Sequence, residues 1–360
     1  MRRIRRALDV IWQNPGVDQF NVSLNETSSA SAVDVELQNL LNRVNGIANN
    51  PDNHRSIADF LGRLLPRFAE FYWGQPTFHH RFFNQWQDAG FSLLPSGEGQ
   101  PVPHVNRLSD AELGRQFDMS HMYFAKKSQA VLLKDLIKRF GAETNDQNFG
   151  ASEDFQFRFG NHVFEAGDAE IFYAYMRLLA PKRVVQVGPG PATRLIADVL
   201  RRNGGAADFT VIERARAKVD PEVQGVNVIE QDARQVDPAV FGALTAGDVL
   251  VIDTDHVVTP GSLADYMLSR IIPNLNPGVL IHMHPVFLPK SYPVGWVRGE
   301  HVFWNEQDFL ATFLSFNNQF EIVLAANALS KTAPELLGEL SSRYQPMVND
   351  PGGFWFRRVT

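Results

Sequence analysis

The chain has 360 residues, 44% of them hydrophobic and 21% charged, which suits about two domains with cores of their own. It contains no cysteine, which excludes disulfide frameworks, thiolate nucleophiles, zinc–thiolate sites and iron–sulfur clusters. Lys and Arg number 34 against 40 Asp and Glu, a net charge of −6, so the basic face needed to wrap nucleic acid is not expected.

The first residues, Met1-Arg2-Arg3-Ile4-Arg5-Arg6, carry four arginines with no apolar stretch behind them. They read as a basic helix end or surface contact and not as a signal peptide. Apolar runs such as Val249–Ile252 and Gly278–Ile281 fall far short of the roughly 20 residues of a membrane span, so the cytoplasm is the expected compartment. Asn21–Ala32 is polar, Ser-rich and expected to be mobile. Val33, Leu37, Leu40, Leu41 and Val44 recur at helical spacing, as do Ile57, Phe60, Leu61, Leu64, Leu65 and Phe68, and predict two helices. Leu94–Pro103 is rich in Pro and Gly and reads as an extended loop. A further helix is expected around Ala130–Phe140. Residues 1–150 are therefore expected to form a mainly helical accessory region.

The texture changes near Phe149. A helix over Ala166–Leu179 leads into the β-run Val184–Val187. Further strands are expected at Phe209–Glu213, Val226–Ile229, Val249–Asp253, Val279–His284, Glu321–Ala325 and Phe354–Val359. Helices fit between them at Ala192–Arg202, Pro238–Leu244, Ser262–Ile272 and Glu306–Phe316. Alternating strands and helices with apolar strands predict a mostly parallel sheet covered on both faces, an α/β domain over residues 151–360. The last strand follows Gly352-Gly353, reads as edge-like, and fits an antiparallel position.

Several constellations stand at the expected strand ends. Gly188-Pro189-Gly190-Pro191-Ala192-Thr193 lies between a strand and a helix, where glycines admit a ligand to the backbone and a helix N-terminus offers N–H groups to an anion. An ordinary tight turn reads the same way. Glu213 ends the second strand, where an acid accepts from a ribose diol; a solvated strand-end acid is the alternative. Asp232 follows the third strand and suits an adenine amine or a turn cap. Asp253-Thr254-Asp255-His256 follows the fourth strand. In Ile281-His282-Met283-His284-Pro285, His282 and His284 share a face by strand alternation. With His256 they suggest three imidazoles near one cleft, as base and partners, as metal ligands, or as satisfied core histidines. Tyr292–Trp296 and Glu300–Gln307 mix aromatics with polar groups. They suit a substrate lid carrying Trp296, Glu300, Trp304 and Asn305 beside His284, or an aromatic packing loop.

In order along the chain, these motifs resemble the class I S-adenosylmethionine-dependent methyltransferases over roughly Asp168–Arg358. They are most similar to a bacterial group with D-S-S-H-V, H-x-H-D-I-F-x-P and F-W-N-E-Q motifs. Here those read Asp253-Thr254-Asp255-His256-Val257, His282-Met283-His284-Pro285-Val286-Phe287-Leu288-Pro289 and Phe303-Trp304-Asn305-Glu306-Gln307. Pro189 and Pro191 depart from the usual first motif. Pro285 stands where the group has an aspartate, the position that helps hold a divalent cation in metal-assisted members, so a metal is left open. The resemblance implies a Rossmann-like sheet of order 3-2-1-4-5-7-6 with strand seven antiparallel. It implies S-adenosylmethionine held by Gly188, Gly190, Thr193, Glu213, Asp232 and Asp253, and methyl transfer to a hydroxyl of a small molecule, a sugar or a natural-product intermediate. His256, His282 and Asp253 are then the candidate base and orienting groups. The alternative is a binding or scaffold protein that kept the fold without the chemistry. Oligomerisation is left open.

Overall fold

The computed structural model describes residues 101–125 and 128–360 continuously, with isolated positions between Val35 and Ser92. The chain divides into two compact units, Met1–His104 and Val105–Thr360. In the first, Val35, Asn39, Asn42, Arg55, Asp59, residues 62–66 and Ala69 are helical, inside or beside the two expected helices. The remaining positions of those helices, the N-terminal arginines, Asn21–Ala32 and most of Leu94–Pro103 lie outside the described residues.

The second unit is built on seven strands: β1 (Arg183–Val187), β2 (Asp208–Ile212), β3 (Asn227–Ile229), β4 (Val249–Ile252), β5 (Leu280–Met283), β6 (Phe320–Ala325) and β7 (Phe354–Arg358). Their order is β3-β2-β1-β4-β5-β7-β6, as the resemblance implied. Strands β1 to β5 are parallel, while β7 runs antiparallel to both β5 and β6. β7 is therefore interior and β6 is the edge, which corrects the edge-like reading of Phe354–Arg358. Phe354, Trp355 and Phe356 are fully buried because both sheet faces are covered there.

Strand alternation sorts the side chains into two cores. Val249, Val251 and Leu280 face one and Leu250, Ile252 and Ile281 the other. The helices are α1 (Asp110–Leu113), α2 (Gln129–Thr144), α3 (Asp168–Leu179), α4 (Pro191–Arg202), α5 (Ala239–Gly242), α6 (Leu263–Tyr266), α7 (Val294–Arg298), α8 (Glu306–Leu314), α9 (Ala326–Thr332) and α10 (Pro334–Leu340). Helices α2, α3, α4, α9 and α10 bury their apolar faces in the first core; α5, α6 and α8 contribute to the second.

Two further expectations change. The helix expected over Ser262–Ile272 is α6, capped by Ser262 through the amide of Asp265, then a π-helical turn over Met267–Ile271 and a 3-10 turn over Ile272–Asn274. The segment 105–150 belongs with the sheet unit and not with a separate accessory region. The reason is α2: Leu132, Leu133 and Leu136, spaced for one helix face, are buried against α3 and α10, and Phe149 packs edge-on to Tyr173 of α3 at 4.9 Å.

Candidate active site

The parallel strands deliver their carboxyl ends to one rim of the sheet, where open α/β folds bind ligands. Gly188 leaves β1 with φ +83°, and a Cβ there would lie 1.7 Å from the Asp253 carbonyl oxygen. Only glycine lets the ends of β1 and β4 approach this closely. The Gly190 amide donates to Thr193 Oγ1 (3.1 Å), and Pro191 opens α4 at a position that needs no N–H. Across this loop lies a cleft of ≈490 Å³ lined by Gly188, Pro189, Glu213, Asp232, Asp253 and Thr254 among others. Its size falls within the range of small-molecule sites.

Glu213 stands at the tip of β2, half-buried. Its Oε1 accepts from the Ala215 amide (2.9 Å) and lies 3.9 Å from Lys218 Nζ. Asp232 also lines the cleft, but Arg234 Nε and an Arg234 terminal nitrogen hold its two oxygens at 2.9 and 2.6 Å. Those bonds depress the Asp232 carboxyl to about 2. The Arg234 amide also donates to Asp232 Oδ1 (3.0 Å), the turn role that the sequence allowed. Asp255 is a helix cap: its oxygens accept the amides of Leu263 and Ala264 at 3.0 Å.

The three histidines do not converge. His282 is 1% exposed and packed between Phe172 (4.8 Å) and Trp355 (4.6 Å) of the first core, with Nδ1 unpartnered. Burial pushes its pKa far down, with the neighbouring His284 adding to the shift, so the ring stays neutral. His282 is thus a core histidine, and the expectation that it serves as base is corrected accordingly. His284 is likewise buried, edge-on to Phe164 at 4.9 Å, with Nε2 3.3 Å from Asp168 Oδ2. It belongs to a structural tie and not to a lid. Asp168, the first residue of α3, also accepts the amides of Gly352 (3.0 Å) and Gly353 (2.7 Å), fixing the start of β7.

His256 lies against α8, a helix of the other face. Its Nδ1 is 3.0 Å from Glu306 Oε2 and its Nε2 is 3.3 Å from Asp253 Oδ1. Trp304 covers the ring at 4.3 Å. Burial alone would lower its pKa, but the hydrogen bonds and charges of Asp253 and Glu306 outweigh it and raise the pKa to about 9. At neutral pH His256 is an imidazolium, not a free base. Among the described residues, no group of three His, Asp or Glu side chains is arranged to hold a metal ion.

The expected lid resolves into an aromatic cluster and a clamp. Trp296 of α7 and Trp304 pack edge-on at 5.4 Å, with Tyr292 5.8 Å from Trp304. Glu300 is exposed. Asn305 Oδ1 accepts from the Val258 amide (2.7 Å), while Gln307 accepts from the Phe287 amide (2.9 Å) and donates to the Lys290 carbonyl (3.1 Å). Asn305 and Glu306 thus fix the loop after β4, at Val258 and His256, and Gln307 fixes the loop after β5, all from the start of α8. Sequence reasoning places Glu306 and Asp168 within motifs but gives neither a role. Their signal is acidic character at a helix start beside histidine-bearing strand ends.

No protein-family profile and no curated protein sequence matches the chain. Among solved structures it is similar to TomG, an O-methyltransferase from Streptomyces achromogenes involved in tomaymycin synthesis and crystallised with S-adenosylmethionine (13% identity, 65% of this chain, 91% of that one, TM-score 0.35). It is also similar to the S-adenosylhomocysteine-bound methyltransferase PaMTH1 of Podospora anserina (15% identity, 67% of this chain, 92% of that one, TM-score 0.34) and to the S-adenosylhomocysteine complex of CmcI-N160 (11% identity, 69% and 100%, TM-score 0.33). The strand order stands independently, on the hydrogen-bonded ladder itself. No helix among the described residues is long and apolar enough to cross a membrane.

Proposed function

We propose that the chain binds S-adenosylmethionine in the cleft at the ends of β1, β2 and β4 and transfers its methyl group to a hydroxyl of a small molecule, a sugar or natural-product intermediate. The observation that carries this reading is the placement of Glu213 and Asp253 on the cleft that Gly188 and Pro189 border, in a sheet whose β7 is antiparallel and inserted between β5 and β6. The inserted strand argues against a nicotinamide dehydrogenase, whose doubly wound sheet runs 3-2-1-4-5-6. The cleft suits the cofactor in volume and donor set. Gly188 would meet the methionine end and Glu213 the ribose; Gly190 and the buried Thr193 line an adjoining cavity of ≈430 Å³ and would act by shaping the turn. Asp232 would meet the adenine amine only by sharing oxygens that Arg234 already holds.

When bound, the cofactor supplies an electrophilic methyl group. The protein's part is alignment, worth about 7–11 kcal/mol in well-oriented intramolecular reactions, and removal of the hydroxyl proton. Asp253 is the group suited to that proton. Its Oδ1 is engaged by His256 Nε2, while Oδ2 lies on the Gly190 side, 3.2 Å from where a Cβ on that glycine would stand. His256, already protonated, orients Asp253 and does not itself take the proton. A second reading, a binding protein without turnover, is favoured by His282, which is buried away from the cleft, and by Pro285 in place of an acid.

Calorimetry with S-adenosylmethionine, S-adenosylhomocysteine and NAD separates these readings. Both sulfur ligands should bind and NAD should not. Binding of NAD alone, or of none of the three, would refute the proposal; binding without methyl transfer across a panel of hydroxylated acceptors would favour the second reading.

A further inference from the structure

Glu306 is a carboxylate with almost no access to water: it is 1% exposed, and its Oε1 has no hydrogen-bond partner. Such a group is strongly penalised unless a cation faces it. Among the described residues Glu306 pairs with no lysine or arginine; its one ion pair is with His256. A neutral imidazole could donate from Nδ1 to Glu306, but its Nε2 would then turn a lone pair toward the Asp253 carboxylate 3.3 Å away. With both acids ionised, only the doubly protonated ring donates to each of them.

We propose that Glu306 is a positioning residue of the cleft: by holding His256 as an imidazolium, it makes Nε2–H a fixed donor to Asp253 Oδ1 and so sets the orientation of the carboxylate on the cleft wall. The functional half of this inference rests on the methyl-transfer reading; the electrostatic half does not. The backbone is built for the same end. His256 has φ +56°, a left-handed conformation that costs energy in a residue with a Cβ. Its carbonyl accepts the amides of Asn305 (3.1 Å) and Glu306 (3.2 Å), which ties the strained residue to the start of α8.

The charged groups facing the ring are Asp253, from the end of β4, and Glu306, from α8; Trp304 covers it without charge. Tyr292 is pushed well above its usual value by burial, with the charges of Glu306 and Asp308 adding to the rise, and stays neutral. The elevated His256 pKa, about 9, is consistent with this arrangement.

The test is an NMR titration of the histidine ring nitrogens in the full chain. Wild-type His256 should titrate near 9. In Glu306→Gln its protonation equilibrium should shift at least tenfold toward the neutral ring, and the Asp253 carboxyl carbon resonance should move at pH 7.5. Glu306→Asp should recover part of both changes. If Glu306→Gln fails to fold, Asp253→Asn should lower the same titration through the other partner. A wild-type His256 titrating at or below 6.5, or a titration unmoved in folded Glu306→Gln, overturns the proposal. Failure of S-adenosylhomocysteine to bind would remove the methyl-transfer reading while leaving the titration result standing.

Discussion

Replacing Asp168 separates structure from catalysis at the end of β5. Asp168 is 7% exposed, and its carboxylate accepts two buried amides, Gly352 at 3.0 Å and Gly353 at 2.7 Å, besides approaching His284 Nε2 at 3.3 Å. A hydrogen bond to a charged group contributes about 1.5–3 kcal/mol. Asp168→Ala removes the two strong ones and leaves both amides unpaired beside Pro285, so the loss should be about 3–6 kcal/mol. For a unit of this size, each kcal/mol lowers the melting temperature by roughly 2–4 °C, which makes the change easy to measure. Asp168→Asn keeps one acceptor oxygen and should lose about half as much. Urea denaturation gives the stability and calorimetric titration of S-adenosylhomocysteine gives the affinity, which should stay within a few-fold wherever the variant is folded. A stability loss below about 1 kcal/mol, or lost ligand affinity at unchanged stability, would refute this reasoning and return Asp168 and His284 to the ligand site.

Glu213→Ala should weaken S-adenosylhomocysteine binding about tenfold or more, since one charge-assisted hydrogen bond to a ribose hydroxyl is lost; unchanged calorimetric affinity would take Glu213 out of the site. His282→Leu removes a buried imidazole whose Nδ1 has no partner, so stability should hold or rise by about 1 kcal/mol, and a hundredfold fall in turnover in the folded variant would make His282 catalytic after all. The raised His256 pKa, about 9 against an ordinary 6.5, contributes stability that is complete below pH 6.5 and is lost as pH rises through 9. That rise corresponds to about 3 kcal/mol, so urea midpoints should fall between about pH 6.5 and 9.5 in the wild type and stay flatter in His256→Gln.

The sheet was readable because its strands are short apolar runs separated by helix-length polar segments, and period 2 does not depend on what covers the sheet. Strand ends came within about a residue: Val226–Ile229 is Asn227–Ile229, and Glu321–Ala325 gains Phe320. The position of β7 was not readable from its own residues, since Gly352-Gly353 precedes an interior strand as readily as an edge one. Its interior place shows in its ladders to both β5 and β6 and in Phe354–Phe356 being buried from both sides. The boundary near 150 failed because α2 carries its apolar stripe, Leu132, Leu133 and Leu136, as any independent helix would; the partners it buries against, α3 and α10, lie far along the chain. Gly188, Glu213, Asp232 and Asp253 share one cleft because topology alone brings strand ends to one rim. The Arg234 clamp on Asp232 was not readable, because a side chain two residues away can bend back or reach out, and the sequence is the same in both cases.

The histidines show where strand logic stops. Alternation correctly puts His282 and His284 on one face of β5, but it does not say whether that face meets a cleft or a helix. Here α3 and the rings of Phe164, Phe172 and Trp355 cover it, so the pair is lost to the open rim. His256 lies past the end of β4, where alternation no longer applies. Its left-handed backbone turns the ring toward α8, into contact with the buried Glu306. One residue type at two adjacent strand ends therefore does three separate jobs: core filler at 282, tie to α3 at 284, and fixed cation at 256. What distinguishes them is the partner each ring meets, and those partners, Trp355, Asp168 and Glu306, lie 50 to 116 positions away along the chain for each pair. A single-position reading of a histidine is consequently weakest in an α/β sheet, where every strand end is close to a catalytic rim and every face is close to a core.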